Sequence, residues 1–453
     1  MKVLMLGWEY PPHISGGLGT ACEGLTVGLA RQDVEILFVV PSLFGGERAS
    51  HMQLVDARGN GARASGASSK AAQRNSTTQK KRTRGAARLK TVRIPAFLSP
   101  YLNEKTYQQA VGTAGFGAKG VTSIFDLATE SAKISNFLEE HDSNESFVRY
   151  GTDIFGEVAR YTAQVVSQLA DEQFDVIHAH DWMTYPAAVA LSQLSGKPLI
   201  VHVHSLEYDR SGESINHQIN DIEHFGLHAA QAVIGVSYYT RSIIHERHGV
   251  PLDKIHVVHN GVYPKKLVQR YRARRKAPSK MVLFLGRITF QKGPDYFVEA
   301  AAKVIPHVPD VSFVMAGSGD MLPRMIERVH ELGISSHFEF PGFLKGPEVE
   351  EMFSLADVYV MPSVSEPFGI AALEAISFDT PVIISRQSGV AEVLGHALKV
   401  DFWDLNRLAD LMINSLLHDE LRQDIASMAR EELKRLRWDV AALRTKELYQ
   451  KMV

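Results

Sequence analysis

The stretch DVYVMPSVSEPFGIAALEAISFDTPVIISRQSGVAEVL, residues 357–394, leaves the chain little freedom. An apolar run at Val358–Met361 reads as a buried strand that Pro362 and Ser363 end. Pro367, Phe368 and Gly369 open a helix carrying Ile370, Ala371, Leu373, Glu374 and Ile376, and Pro381–Ile384 reads as a second buried strand. Glu366 then lies in a loop at a helix N-terminus, with Glu374 about two turns along the helix. The backbone N–H groups of Gly369 and Ile370, with the positive end of the helix dipole, make an anion site suited to phosphate, while the two carboxylates can accept hydrogen bonds from neutral sugar hydroxyls. Taken alone, the glutamates also read as a helix-start residue and a solvated surface acid.

A chain of 453 residues exceeds one ordinary core and predicts two or three domains. Its formal net charge of −2 gives no reason to expect nucleic acid as a partner. The lone Cys22 rules out an internal disulfide and fits a reducing compartment. No secretory leader is read in MKVLMLGWEY, and no apolar run reaches the roughly 18 residues of a membrane span, so a cytoplasmic protein is expected.

Lys2–Leu6 reads as a strand, WEYPPHISGGLGT as a glycine loop with Gly16, Gly17 and Gly19, and Ala21–Ala30 as a helix. Glycines there let backbone approach a ligand, although many strand-to-helix turns hold them for geometry alone. The loop lacks the Gly-Lys-Ser/Thr ending of a P-loop and does not spell GxGxxG. From Ala57 to Lys90 there are ten Lys or Arg and no acid, with almost no large apolar residue. This composition predicts a mobile basic insertion, either a solvated loop or a peripheral contact for a polyanion or anionic membrane surface.

In FDVIHAHDWMTYPA, a strand over Asp175–Ala179 delivers His180, Asp181 and Trp182 to the crevice where open α/β sheets bind ligands. Pro198–Val203 leads into HVHS, so His178, His180, His202 and His204 stand in two i, i+2 pairs. Imidazole ligates zinc, but no carboxylate stands at a fixed metal-ligand spacing and no Asp-x-Asp is present, so no metal is expected. The first domain is read as 1–262, followed by a basic linker over 263–280, a second domain over 281–436 and a last amphipathic helix over 437–453. Leu436, Trp438 and Val440 are read as core-facing anchors of that terminal segment. In MVLFLGRITFQKG, Arg287 and Lys292 share one short loop. Two such cations would neutralise a departing diphosphate, and otherwise they are surface charges.

SEPFGIAALEA with its following strand and SGVAEVL, HAHDW, and GRITFQKG closely resemble the motifs of retaining glycosyltransferases of family 4 and of glycogen-synthase-like enzymes. The resemblance spans both halves of the chain. It implies the GT-B arrangement, in which two Rossmann-like doubly wound α/β domains face each other across a cleft, the acceptor on the first and the nucleotide-sugar donor on the second. It implies that Arg287 and Lys292 clamp the diphosphate with help from the backbone at Gly369 and Ile370, that Glu374 holds the ribose and Glu366 the sugar hydroxyls, and that His180 lines the sugar face. The glycine loop, Gly16, Gly17 and Gly19, would lie near donor phosphates and acceptor, and Gly342 and Phe343 near the base. The terminal helix would cross back onto the first domain.

The implied activity is transfer of a glycosyl unit, glucosyl first, from UDP- or ADP-glucose or a similar donor to a glucan or other sugar, without a cofactor or metal. Alternatives are a family 4 enzyme making another polysaccharide, glycoside or sucrose-like disaccharide, a GT-B sugar epimerase, and a non-catalytic carbohydrate-binding protein.

Overall fold

A computed structural model describes residues 1–11, 16–41, 52–56, 89–93, 154–263 and 280–453. Most of the proposed basic insertion and linker fall outside these. In the first part, strands β1 (Lys2–Leu6), β2 (Glu35–Val40), β3 (Met52–Asp56), β4 (Leu89–Arg93), β5 (Val176–His180), β6 (Leu199–Val203), β7 (Ala232–Gly235) and β8 (Ile255–Val257) form one sheet in the order β3-β4-β2-β1-β5-β6-β7-β8. Helices α1 (Gly17–Ala30), α2 (Ile154–Leu169), α3 (Tyr185–Ser195), α4 (Glu207–Ser211), α5 (His217–Ala229) and α6 (Tyr238–His248) connect them. Leu89 and Lys90, assigned by composition to the insertion, already belong to β4.

The second part holds β9 (Lys280–Leu285), β10 (Val311–Ala316), β11 (Phe338–Gly342), β12 (Val358–Met361), β13 (Val382–Ser385) and β14 (Leu398–Val400), in the order β11-β10-β9-β12-β13-β14. Its helices are α7 (Pro294–Val304), α8 (Leu322–Glu331), α9 (Pro347–Leu355), α10 (Ile370–Ser377), α11 (Leu405–Leu417) and α12 (Asp419–Leu433). Both sheets pair in parallel wherever described, for example Leu4 with Leu37 and Ile177, and Leu283 with Val314 and Tyr359. Strands buried on both faces need no polar alternation, which is why they are short, continuous apolar runs. Two doubly wound α/β units result, the fold class expected from the sequence.

The strand order fixes the site. β1 has β2 on one side and β5 on the other, and β9 likewise has β10 and β12. At each such reversal the connections leave in opposite directions and open a crevice at the carboxyl ends of the strands. Glycines 16–17 and Asp181 stand at the first reversal, and Arg287, Lys292 and Glu366 at the second. Local caps hold the surrounding helices: the Asn216 side chain accepts from Gln218 N and Ile219 N, and Ser237 from Thr240 N.

The last helix, α13 (Trp438–Met452), leaves the second unit and packs along α1. Gly24 and Gly28 make the close approach necessary: a Cβ on Gly24 would lie 2.2 Å from the Trp438 ring, and one on Gly28 2.7 Å from Ala442. Trp438, Ala441, Ala442, Leu448 and Tyr449 thereby join the first core. Val440, expected to be core-facing, is 40 % exposed. Buried positions 438, 441, 442, 445, 448 and 449 follow the helical three-to-four spacing. Val440 falls on the other face. Among the described residues, no helix is long and apolar enough to cross a membrane.

Candidate active site

Both crevices open into one cavity of about 900 Å³ between the two units. On the second unit, β9 ends at Leu285 and turns through Arg287, whose Nη2 donates to Gln291 Oε1 at 2.9 Å. Gln291 braces the opposite loop through its backbone carbonyl, which accepts from Val364 N at 3.0 Å. Across that loop, Lys292 Nζ donates to Glu366 Oε2 at 2.5 Å, with Ser363 Oγ at 3.3 Å from the same oxygen. Glu366 is 6 % exposed, so its charge is held by these contacts and not by bulk water.

Gly369 caps α10 at φ 106°, a backbone conformation that side chains resist, and a Cβ there would press on Met361 and Val390. No side chain caps the helix. The first-turn amides therefore have no partner within α10 and carry the positive end of its dipole. Glu374, farther along α10, also borders the cavity. Two cations, a helix N-terminus and two carboxylates thus line one wall.

The facing wall comes from the first unit. Asp181 leaves β5 with φ 57°, a strained geometry for a non-glycine residue. Its Oδ1 accepts from His204 N at 2.6 Å and Ser205 N at 3.4 Å, pinning the end of β6. Burial pushes its carboxyl up to about 8, against the opposing pull of these hydrogen bonds and of Arg210. His204 borders the cavity, and its Nε2 lies 2.9 Å from His180 Nδ1.

The two units touch beside the glutamate. Ser365 Oγ donates to Asp209 Oδ1 at 2.5 Å and lies 3.0 Å from Tyr239 Oη. Ser237 Oγ donates to Pro367 O at 2.6 Å, and Glu392 accepts from the amides of Tyr238 and Tyr239 at 2.9 and 2.6 Å. Burial pushes Asp209 up to about 6, although Ser365, Leu206 N and Arg210 favour its charge. The folded protein therefore takes up this proton before the unfolded chain does. The stabilisation of the protonated form is fully present below about pH 4 and is lost as pH rises through about 6. Asp209→Asn is expected to flatten the fall in stability between pH 4 and 6 by about 1–3 kcal/mol, read from urea midpoints across that range. An equally steep fall in the variant would defeat the assignment.

Of the residues picked from the sequence, Gly16, Gly17, Arg287, Lys292, Phe343, Glu366, Gly369, Ile370 and Glu374 border the cavity. His180, Gly19 and Gly342 do not. β5 continues through His180, which leaves that side chain fully buried behind His204. Gly19 lies inside α1 and donates its amide to Glu9 Oε1 at 2.8 Å, and Gly342 ends β11. His204 and Ser365 are not distinguished by spacing alone, whereas Asp181, which the sequence places at the crevice, borders the cavity. His204 immediately follows an apolar strand, but Ser365 lies in the loop beyond the end of β12.

Residues 136–266 match the family described as Glycosyltransferase Family 4, and residues 268–432 match Glycosyl transferases group 1. An uncharacterized glycosyltransferase of Methanocaldococcus jannaschii is 27 % identical over 99 % of this chain and 98 % of its own. A glycogen synthase of Mycobacterium tuberculosis is 25 % identical over 87 % of this chain and 80 % of its own. An alpha-maltose-1-phosphate synthase of Mycolicibacterium smegmatis is 31 % identical over 62 % of this chain and 80 % of its own. Sucrose-phosphate synthase from Thermosynechococcus elongatus shares the fold, with a TM-score of 0.68 at 18 % identity over 99 % of this chain and 98 % of that one. With both units matched and their facing crevices joined in one cleft, the chain belongs to the family 4 glycosyltransferases, of glycogen-synthase-like, GT-B type.

Proposed function

We propose that the enzyme moves a glucosyl unit from a nucleotide diphosphate glucose to a hydroxyl of a glucan or a related sugar, with retention of the α configuration. The observation that carries this reading is the Lys292–Glu366 contact of 2.5 Å, beside Arg287 and the open N-terminus of α10. A departing diphosphate needs fixed positive charge where its own charge grows, and this wall supplies it from side chains and backbone amides. Glucose-built sugars in the names of two relatives, glycogen synthase and alpha-maltose-1-phosphate synthase, support the glucosyl donor.

In this reading Arg287, Lys292 and the amides at Gly369 and Ile370 hold the diphosphate, and Glu374 accepts from the ribose hydroxyls. Phe343 and the backbone at Gly342 flank the base. Glu366 accepts from sugar hydroxyls while Lys292 Nζ holds it in place. His204, which borders the cavity, faces the sugar, and His180 braces it from behind through the 2.9 Å contact between its Nδ1 and His204 Nε2. The acceptor oxygen bonds to the anomeric carbon on the face from which the phosphate oxygen leaves, and its proton passes to that phosphate. No side chain becomes a covalent nucleophile, and no metal takes part. Gly16 and Gly17 leave room for donor phosphate and acceptor, with Gly19 holding the loop through Glu9.

The test is nucleotide diphosphate release from a panel of nucleotide sugars, with and without glycogen or short maltooligosaccharides. Glucan-dependent release with UDP- or ADP-glucose, lost in Glu366→Ala, supports the reading and fixes the donor. Release without extension of any acceptor points to hydrolysis or epimerase chemistry, and a protein that binds no donor defeats the catalytic reading.

A narrower expectation concerns Gly17. Among the described residues, no atom lies within 4 Å of where its Cβ would be, so these residues do not require glycine there. Gly17→Ala is expected to keep its melting temperature while raising KM for donor or acceptor about tenfold, because the methyl occupies space meant for ligand. Unchanged kinetics would remove Gly17 from the site.

A further inference from the structure

The four histidines of β5 and β6 form a compact block that the proposed chemistry uses only at one edge. His178 and His180 stack with ring centroids 4.4 Å apart, His202 and His204 at 4.2 Å, and His178 faces His202 at 5.2 Å. The parallel register sets His180 beside His202, and the alternation of each strand puts both pairs on one face of the sheet. His178, His180 and His202 are at most 2 % exposed. Two of their nitrogens, His180 Nε2 and His202 Nε2, are buried without a hydrogen-bond partner among the described residues. Leaving such an atom unsatisfied costs about 1–3 kcal/mol, and at His180 the unpartnered Nε2 is the nitrogen open to a ligand.

We propose that His178, His180 and His202 form a binding site for a divalent transition metal of the Zn²⁺ class. One nitrogen from each residue lies within 4.8 Å of those from the other two. Zn–N bonds of about 2.0–2.1 Å place tetrahedral ligands about 3.3 Å apart. His178 Nε2 and His202 Nδ1 already stand 3.2 Å apart. A nitrogen of His180, within 4.8 Å of both, is the third ligand.

The outer contacts also suit a metal. Ligating imidazoles characteristically engage their second nitrogen with a fixed partner, which sets tautomer and ring orientation. His178 Nδ1 has Tyr449 Oη at 2.5 Å, and His180 Nδ1 has His204 Nε2 at 2.9 Å. Three imidazoles leave a fourth tetrahedral position open, as in known three-histidine zinc sites.

One consequence rests on the reading of His180 given above: a metal on His180 shifts the ring that braces His204 at the sugar, so Zn²⁺ inhibits transfer. Binding itself is read without turnover, so failure of that reading and failure of the metal site can be told apart.

The full chain is stripped with EDTA, incubated with Zn²⁺, passed through a gel-filtration column and assayed for metal by mass spectrometry, with Co²⁺ absorption as a second readout. About one ion per chain is expected, with the visible bands of tetrahedral Co²⁺. His202→Gln should lose both. His224→Ala should keep both, because it removes only an exposed histidine that lies against His228, with ring centroids 4.1 Å apart. Should His202→Gln fail to fold, Tyr449→Phe is the variant to compare, keeping all three ligands while weakening Zn²⁺ about 10–100-fold through loss of the outer contact. No retained metal, metal lost only with His224→Ala, or undiminished affinity in Tyr449→Phe would overturn the site.

Discussion

Lys292→Ala is expected to lower kcat with the preferred donor about 10²–10³-fold, the scale of removing one fixed donor from a developing anion, or about 3–4 kcal/mol. The lysine sits on a turn between β9 and α7, and its ammonium is the charged partner held at 2.5 Å from Glu366. Removing it takes a positive charge from the leaving diphosphate and strands a nearly buried carboxylate with Ser363 as its remaining side-chain contact at 3.3 Å. Both effects act on the same step. Lys292→Arg restores the charge but not the compact point donor, so it should recover only part of the rate. Steady-state kcat and KM, measured separately, decide the matter. A rise in donor KM with kcat within threefold of the parent would mean that Lys292 binds ground state and transition state equally.

Trp438→Ala is expected to cost about 3–5 kcal/mol of unfolding free energy. The ring is 4 % exposed and lies where Gly24 has no side chain, so truncation leaves a void that two backbones already in close approach cannot fill. The reciprocal change fails for the opposite reason: Gly24→Val drives a branched side chain into the ring, and overpacking of that kind costs about 1–3 kcal/mol or more. Urea unfolding of both variants checks the pair. A cost under about 1 kcal/mol for Trp438→Ala would mean that α13 rests on the first unit without stabilising it.

How far the sequence could be read differs between backbone and site. β1, β5, β9, β12 and β13 were visible within a residue or two because parallel strands covered on both faces are plain apolar runs. Arg287, Lys292 and Glu366 were visible because each stands in a loop beyond a strand of that kind, and Glu374 because it lies about two turns along the helix that follows. What stayed hidden depends on distant pairs. The Ser365–Asp209 contact joins residues 156 apart in the chain, and neither local pattern announces the other. His180 was placed in the cleft because it closes an apolar run, but the sheet extends through it and the chain turns only at Asp181. His204 therefore reaches the cavity first. Val440 was misassigned by a spacing of two, the period of strands, within a segment whose buried face repeats every three to four residues. β4 begins inside the stretch called an insertion because composition alone does not resolve where a strand starts.

The docking of α13 reverses the usual order of events on the ribosome. Domains generally complete themselves in the order in which they are synthesised. Here the side chains that close the α1 face and reach His178 are Trp438 and Tyr449, added after the whole of the second sheet has been made. The unit translated first is thus finished last. Until α13 emerges, the nascent chain carries the cleft wall of Lys292 and Glu366 opposite a first unit still lacking Trp438 from its core.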